Sequence, residues 1–168
     1  MSGIVGCGDP PPVDQSGPGS PLTPDVNHFK GGFPLLYAGP RTAGYPYVDA
    51  YVSAGRVVFL YGRCEPDPDA DESSCAAPLQ VENSSLSCST YPAMYSEPGL
   101  RSRRIRVRGL PGAIFEQRYE GRWNYIKLLV FEKETVVTIG GSSLAGAMHV
   151  ATNLRYVDGS TDLRPPKC

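Results

Sequence analysis

The chain has 168 residues, of which 40% are apolar, and a formal net charge of −1. This length and apolar content fit one domain with its own core and exclude a wholly disordered chain. The balanced charge gives no reason to expect a nucleic acid as the partner, and no apolar run reaches the roughly 18 residues of a membrane-spanning helix.

Residues 1–32 are predicted to form a lipobox-like start and a linker. The stretch Ile4-Val5-Gly6 before Cys7 resembles the end of a bacterial lipoprotein signal, in which a cysteine after a small residue is lipidated. An ordinary cysteine in a tail is the alternative. Proline and glycine dominate the residues after Cys7, and because proline fixes φ and lacks an amide donor, neither a helix nor a central strand is expected there.

A single folded domain is predicted over residues 33–157, and its first part reads as short strands between turns. The stretch 56–62 is the clearest strand, because it is β-branched and aromatic and too short for a helix. Weaker strand patterns occupy 33–37, 47–52 and 78–82.

The second part of the domain alternates more regularly. Strands are expected over 104–108, 113–117, 123–130 and 134–139. Turns are expected at Leu110-Pro111-Gly112, at Glu120-Gly121 and in the charged stretch around Phe131-Glu132-Lys133.

One helix is predicted near the C-terminus. Ser142 or Ser143 supplies an oxygen for the free amides of its first turn, and the helix is expected to reach about Arg155. Asp158-Gly159 is expected to stop it, before a tail over 158–168. Its apolar face comprises Leu144, Ala147, Met148, Ala151 and Leu154. The predicted fold class is α+β and β-rich, a mainly antiparallel sheet with this C-terminal helix packed on one face and a disulfide-stapled loop.

Several segments resemble a group of actinobacterial secreted or lipoprotein domains of unknown function. The matching segments are Tyr61-Gly62-Arg63-Cys64, Cys75 to Val81, Arg108 to Pro111 and Thr135 to Ala151. The resemblance covers roughly residues 33–156. It implies a domain exported to the cell envelope, and it carries no activity and no functional residue over to this chain.

Three cysteines, Cys64, Cys75 and Cys88, lie within a short span around an irregular loop, which predicts a covalent staple and therefore an oxidising compartment. If Cys7 is lipidated, an even number remains, namely Cys64, Cys75, Cys88 and Cys168. A bond between Cys64 and Cys75 closes a loop of about 12 residues, worth roughly 3 kcal/mol in the chain-entropy model, and leaves Cys88 to pair with Cys168. The alternative joins Cys75 to Cys88. No pair has the short spacing of a zinc or redox motif, so no metal is expected at the cysteines.

The loop after Cys64 is acidic, with Asp67, Asp69 and Asp71 at alternate positions. That spacing resembles the start of a calcium-binding loop, because Ca²⁺ takes six to eight oxygen ligands. Glu72 and Pro78 stand where such loops need a glycine and a bidentate glutamate, so a solvated acidic loop is the favoured interpretation.

Two surfaces are candidates for binding. Arg104, Arg106 and Arg108 share one face of their predicted strand, where they could meet anionic lipid headgroups or an acidic partner, or simply pair with glutamates of neighbouring strands. The second candidate is a tyrosine-rich face, with amphipathic packing around the core as its alternative. Its members are Tyr37, Tyr45, Tyr47, Tyr51 and Tyr61.

Motifs for catalysis are missing from the sequence. His28 lies in the predicted linker, His149 lies on the predicted helix, and neither a nucleophile elbow nor a phosphate- or dinucleotide-binding glycine pattern occurs. We therefore expect a non-catalytic, envelope-tethered binding domain without a cofactor, located outside the cytoplasm, in the cell envelope or secreted. Its expected partner is a protein or another envelope component, with membrane contact only through a lipid anchor. The alternatives are a structural subunit of an extracellular assembly and a hydrolase with an unfamiliar site.

Overall fold

The computed structural model describes residues 29, 31–63, 65–66, 75–141 and 143–168, with the backbone alone at 65–66 and 75–76. Its strands are β1 (Leu36–Tyr37), β2 (Arg41–Thr42), β3 (Tyr45–Ser53), β4 (Arg56–Tyr61), β5 (Glu65–Pro66), β6 (Cys75–Ala76), β7 (Leu79–Ser85), β8 (Arg101–Val107), β9 (Leu110–Tyr119), β10 (Arg122–Glu132), β11 (Thr135–Gly141) and β12 (Arg155–Tyr156). A 3-10 helix spans Tyr91–Tyr95, and the helix α1 spans Leu144–Asn153.

Eight of the strands form one antiparallel sheet in the order β2-β3-β4-β7-β11-β10-β9-β8. The short strands β1 and β12 pair with each other, as do β5 and β6. The predicted fold class is confirmed: the chain is β-rich, its sheets are antiparallel, and a helix lies near the C-terminus.

The face of the sheet that packs against α1, here called the helix-side face, holds the main core. Alternate residues of β4 point into it, because the side-chain period of a strand is two, and Val57, Phe59 and Tyr61 are fully buried. Ala147 and Val150 of α1 pack on this face and are equally buried. A helix with small buried residues can approach the sheet closely, which completes the core.

The opposite face, here called the open face, is covered only in part. Phe115, Phe131 and Val136 form a second cluster there, with the rings of the 3-10 helix packed above them. Tyr91 meets Phe131 edge to face at 5.0 Å between ring centroids. The segment between β7 and β8 therefore serves as a lid over this second cluster.

Buried polar groups pin the strand β1 to the sheet. The Asn83 side chain accepts from the Leu36 amide and donates to the Leu36 carbonyl oxygen, both at 2.8 Å, and all of these groups are buried. Thr135 donates to the carbonyl oxygen of Pro34 at 2.7 Å. Because β1 is only two residues long, these contacts add to the few hydrogen bonds that its pairing with β12 can supply.

The C-terminal residues are held at the same end of the sheet. The carboxylate of Glu132 is buried and accepts from the Tyr156 hydroxyl and from the Arg164 amide. The Lys133 amide donates to the Arg164 carbonyl oxygen at 3.0 Å. The predicted charged turn around Phe131-Glu132-Lys133 is therefore displaced, since Glu132 belongs to β10 and is 0% exposed.

Two other predicted boundaries are wrong. The turn expected at Leu110-Pro111-Gly112 lies at Arg108 and Gly109, which both have positive φ, and β9 begins at Leu110. Gly112 pairs within the sheet with Ile105 and Val130, and a side chain would not fit there because an added Cβ would lie 2.5 Å from the Leu129 carbonyl oxygen. The helix begins as expected, with the Ser143 hydroxyl accepting from the Gly146 amide, but it ends at Asn153 because β12 follows and pairs with β1.

Candidate binding surface

The outer part of the β9–β10 hairpin extends beyond the cover of both cores. The inner residues of β9 and β10 are buried, whereas 117–119 and 122–124 are exposed. The turn between the strands is a two-residue turn, in which Glu120 and Gly121 both have positive φ, as a twisted hairpin requires. The ends of the two strands therefore pair with each other but are not covered by either core.

Large apolar side chains are exposed on this hairpin. Tyr119 is 67% exposed, Trp123 43% and Ile126 40%. Trp123 lies opposite Arg118 in the register of the two strands. Tyrosine, tryptophan and arginine are the residue types that contribute most energy at protein interfaces. Their concentration at one end of the sheet marks it as a candidate binding surface.

Arginines surround these side chains. The segments 101–106 and 116–123 together carry six arginines against two glutamates, although the whole chain has a net charge of −1. We call the following residues at this end of the sheet the arginine–aromatic surface, in which Arg118 and Trp123 share one face of the hairpin and Tyr119 and Arg122 the other: Arg101, Arg103, Arg118, Tyr119, Arg122, Trp123 and Ile126. A local excess of positive charge favours an acidic partner and speeds encounter with it.

One end of this surface is preorganised. The Arg101 guanidinium lies 5.0 Å from the centroid of the Trp123 ring and donates from Nε to Glu116 at 3.0 Å. Glu116 lies opposite Arg101 in the β8–β9 register and opposite Tyr125 in the β9–β10 register. The tryptophan ring is thus already stacked in the free protein, which lowers the entropy cost of using it in binding.

The open face next to β8 contributes further aromatic and basic contacts. Arg104 lies 4.4 Å above the Tyr95 ring. Burial and the hydrogen bond with Tyr91 raise the pKa of Tyr95 to about 12, so the hydroxyl stays neutral at physiological pH. Ser102 donates to the Tyr95 carbonyl oxygen at 2.5 Å, which ties the 3-10 helix to β8.

Of the three arginines in the predicted arginine face, two share one face of β8, and their role in binding stays a prediction. Arg104 and Arg106 are exposed on β8. Arg108 is not on that face, because it occupies the β8–β9 turn with a φ of 51°. Its guanidinium donates to the carbonyl oxygens of Leu154 and Thr161, at 2.8 and 3.3 Å, and so holds the C-terminal segment in place.

The predicted tyrosine-rich binding face does not exist as one surface. Tyr61 is fully buried, and its hydroxyl accepts from the Ala38 amide at 2.8 Å. Tyr37 is also buried, and Tyr45 and Tyr47 are partly buried against the main core. Tyr51 alone is strongly exposed, at 44%, and it lies on β3 far from the hairpin tip in the sheet order. Core packing accounts for the tyrosines of the first half.

Cys88 and Cys168 form a disulfide, with 5.2 Å between their Cα atoms. This bond confirms one predicted pairing and rules out the alternative between Cys75 and Cys88. The backbones of Glu65–Pro66 and Cys75–Ala76 pair as β5 and β6, whereas Cys64 and the Cys75 side chain lie outside the described residues. Disulfides persist in oxidising compartments, so the bond is consistent with an extracytoplasmic domain.

Several predicted sites cannot be placed in the fold. Cys7, His28 and the aspartates Asp67, Asp69 and Asp71 lie outside the described residues. Within the described ranges, no group of three or more His, Cys, Asp or Glu side chains is arranged to hold a metal ion. No helix in the described part of the chain is long and apolar enough to cross a membrane.

The groups that would have indicated a hydrolase do not converge. Glu116 pairs with Arg101 near the hairpin tip, while Glu132 is buried at the opposite end of β10. His149 lies on α1, and Asp49 accepts from the Ala50 amide on β3. Two shallow grooves on the open face, of about 250 and 350 Å³, are lined by none of these four residues.

Sequence reasoning missed the aromatic members of the surface. Trp123 is the only tryptophan of the chain and follows directly after a predicted turn at Glu120-Gly121. A lone tryptophan beside a hairpin turn that also carries arginines is a readable signal, but its exposure depends on what covers the hairpin.

Comparison of the chain with protein-family models, curated proteins and solved structures found no match.

Proposed function

We propose that this chain is a non-catalytic binding domain that engages an acidic partner through its arginine–aromatic surface. The observation that carries the proposal is the exposed Trp123, held beneath Arg101 and surrounded by an excess of arginines at the uncovered end of the sheet. An exposed tryptophan flanked by arginines combines residue types in which interface hot spots are enriched.

The proposed setting is the cell envelope, with the domain tethered through a lipid on Cys7 and displayed outside the cytoplasm. The resemblance to exported actinobacterial domains, the lipobox-like residues before Cys7 and the Cys88–Cys168 disulfide support this setting. A secreted form without the lipid is the variant of the proposal that applies if Cys7 is unmodified.

The proposed tether and the arginine–aromatic surface belong to different ends of the sheet. Pro34 contacts Thr135, which begins β11, so the polypeptide passes this end of the sheet shortly after the predicted linker. Trp123 lies nine residues before Glu132 on β10, which at about 3.4 Å per residue places it roughly 30 Å away along the strand. The arginine–aromatic surface therefore lies at the end of β10 opposite to the one that the chain passes at Pro34.

Site-specific photo-crosslinking in cells that naturally produce the protein tests the binding function. A photoreactive amino acid is placed at Tyr119, with Tyr51 as the matched control because it is also an exposed tyrosine of the sheet. We expect a discrete crosslinked partner from position 119 and none from position 51. No adduct at position 119, or the same adducts at both positions, would contradict the proposed surface.

The tether is tested separately by mass spectrometry of unreduced protein from the same cells. We expect a lipid on Cys7 and no free thiols. An unmodified Cys7 would remove the tether and leave the binding function standing, whereas free thiols at Cys64 and Cys75 would contradict export.

A further inference from the structure

The strand β8 forms a free edge of the eight-stranded sheet. It pairs with β9 alone, over seven consecutive residue pairs without a bulge. It also contains no proline. β8 carries only charged side chains as edge protection, whereas natural sheets commonly protect an edge further by shortening it or by adding bulges and prolines. The opposite edge does so, since β2 is two residues long and β3 carries Pro46 and a register shift between Tyr47 and Asp49.

The geometry of the β8–β9 turn fixes which backbone groups face outward. Arg108 and Gly109 have φ values of 51° and 82° and connect Val107 to Leu110 as a two-residue turn of type I′. In such a hairpin the residues that flank the turn form a hydrogen-bonded pair, and bonded pairs then alternate along the strand. The backbone groups of Ser102, Arg104 and Arg106 therefore point away from β9.

The side chains of this edge are positively charged on both faces. Ile105 packs toward the main core, so Arg101 and Arg103 share the helix-side face, while Arg104 lies over Tyr95 on the open face with Arg106. Within the described part of the chain, Arg101 has an acidic partner within 4.0 Å, and Arg103, Arg104 and Arg106 have none.

From this edge we infer that an extended, acidic segment of the partner protein adds to β8 as a ninth strand. Main-chain hydrogen bonds to Ser102, Arg104 and Arg106 would give the affinity, and charge complementarity would give the selectivity. The inference rests on the proposed binding function and names the chemistry of the partner that the arginine–aromatic surface receives.

The register of β8 predicts the pattern of the partner segment. Acidic residues are expected opposite Arg103, Arg104 and Arg106, and an apolar residue opposite Ile105. The rest of the sheet is antiparallel, so the segment is expected to run antiparallel to β8. Its sequence from the N-terminus to the C-terminus is then Glu-Val-Glu-Glu, in which aspartate can replace glutamate. A second copy of the chain is a poor occupant, because antiparallel pairing of β8 with itself sets arginines against arginines.

The test uses a synthetic peptide that contains Glu-Val-Glu-Glu between threonines, with Gln-Val-Gln-Gln as its uncharged counterpart. Binding is followed by the fluorescence of Trp123 and by amide hydrogen exchange of the intact protein. We expect binding of the acidic peptide alone and new protection of the amides of Ser102, Arg104 and Arg106. The amides of Arg103 and Ile105 are already paired with β9 and should change little.

A matched pair of variants separates charge from strand addition. Arg104→Ala removes one charge, whereas Arg104→Pro removes the same charge and also the outward amide, which β9 does not use. We expect the proline variant to bind roughly tenfold more weakly than the alanine variant, because one hydrogen bond is lost and the ring obstructs the added strand. Ser102→Pro against Ser102→Ala repeats the comparison without any change of charge if Arg104→Pro does not fold.

The results for peptide binding, hydrogen exchange and the variants can each contradict strand addition. Acidic-peptide binding with unchanged exchange at the three amides, or with equal affinities of the proline and alanine variants, would overturn strand addition and leave an electrostatic binding surface. No binding of the acidic peptide, or protection of these amides by a second copy at high protein concentration, would also overturn it. Crosslinking from Tyr119 reports on the proposed function independently of all these results.

Discussion

The Cys88–Cys168 disulfide should account for a large share of the stability of the domain. The two cysteines are 80 residues apart in sequence, and both are exposed, so few native contacts depend on their sulfur atoms. The double change Cys88→Ser with Cys168→Ser therefore removes the crosslink while the sheet and α1 stay intact. Its main effect is expected on the unfolded chain, which regains the freedom that the closed loop had removed.

The size of the effect follows from the length of the loop. In the chain-entropy model, closing about 80 residues lowers the entropy of the unfolded state enough to stabilise the fold by about 4.5 kcal/mol at 25 °C. That is a large part of the 5–15 kcal/mol typical of a domain's total stability. Removal of this bond should bring the domain close to the limit of folding at growth temperature.

Urea unfolding of the two proteins, followed by Trp123 fluorescence, measures the difference. We expect the free energy of unfolding to fall by about 4–5 kcal/mol and the urea dependence to steepen, because the uncrosslinked chain exposes more surface when unfolded. Lys167→Ala, an exposed neighbour of the bond, is the control and should change stability by less than about 0.5 kcal/mol. A loss below about 1 kcal/mol in the double variant would refute the reasoning.

Three further predictions concern the framework that carries the surface. Asn83→Ala should lower the free energy of unfolding by roughly 2–6 kcal/mol in urea titrations, because the buried amide and carbonyl of Leu36 lose their partners; a loss under about 1 kcal/mol would contradict this. Gly112→Ala should cost about 1–3 kcal/mol in thermal unfolding, since its Cβ meets a backbone oxygen, and an unchanged melting temperature would refute it. Burial raises the pKa values of Tyr47 and Tyr95 to about 12, so the stability that their neutral hydroxyls contribute should be full below pH 10 and fall as the pH rises toward 12. Ionisation of these two residues, followed by NMR of ring-labelled tyrosine, should appear together with unfolding, and ionisation of either one at pH 10 in the folded protein would contradict the burial.

Local pattern was enough to predict most strands and the helix. The run Arg56–Tyr61 is strand because its apolar residues alternate between one covered face and one half-covered face of the sheet. The start of α1 was readable because the Ser143 cap is a contact between neighbours in sequence. Its end was not, because β12 exists only where β1 lies beside it, more than a hundred residues earlier in the chain.

Pro111 is the reason that the β8–β9 turn was predicted at the wrong residues. Proline and glycine together usually mark a turn, yet Pro111 lies in β9, which pairs on both sides over residues 112–116. The pairing of β9 with β10 reaches Gly112 and does not extend to Pro111, so the missing amide donor costs no ladder bond. The real turn uses Arg108 and Gly109, and arginine at a positive φ has no distinct sequence signal.

The candidate surface was only half predictable. Arg104 and Arg106, which lie beside the surface on the same strand as its members Arg101 and Arg103, followed from the alternation of that strand, which is a local property. The exposure of Trp123 and the burial of Tyr61 were not predictable, because each depends on which distant segment covers the ring. Tyr61 lies in the main core, where its hydroxyl accepts from the Ala38 amide, whereas Trp123 stays 43% exposed with the guanidinium of Arg101 over its ring.

The affinity of the partner captured at Tyr119 for the Trp123→Ala variant tests the central claim most directly. Isothermal titration would compare this variant with the unmodified protein and with Tyr51→Ala, which removes an equally exposed aromatic side chain at the other edge of the sheet. If the arginine–aromatic surface is the binding site, Trp123→Ala weakens binding by about 30-fold or more and Tyr51→Ala leaves it unchanged. Equal affinities of the two variants would contradict the assignment of the site.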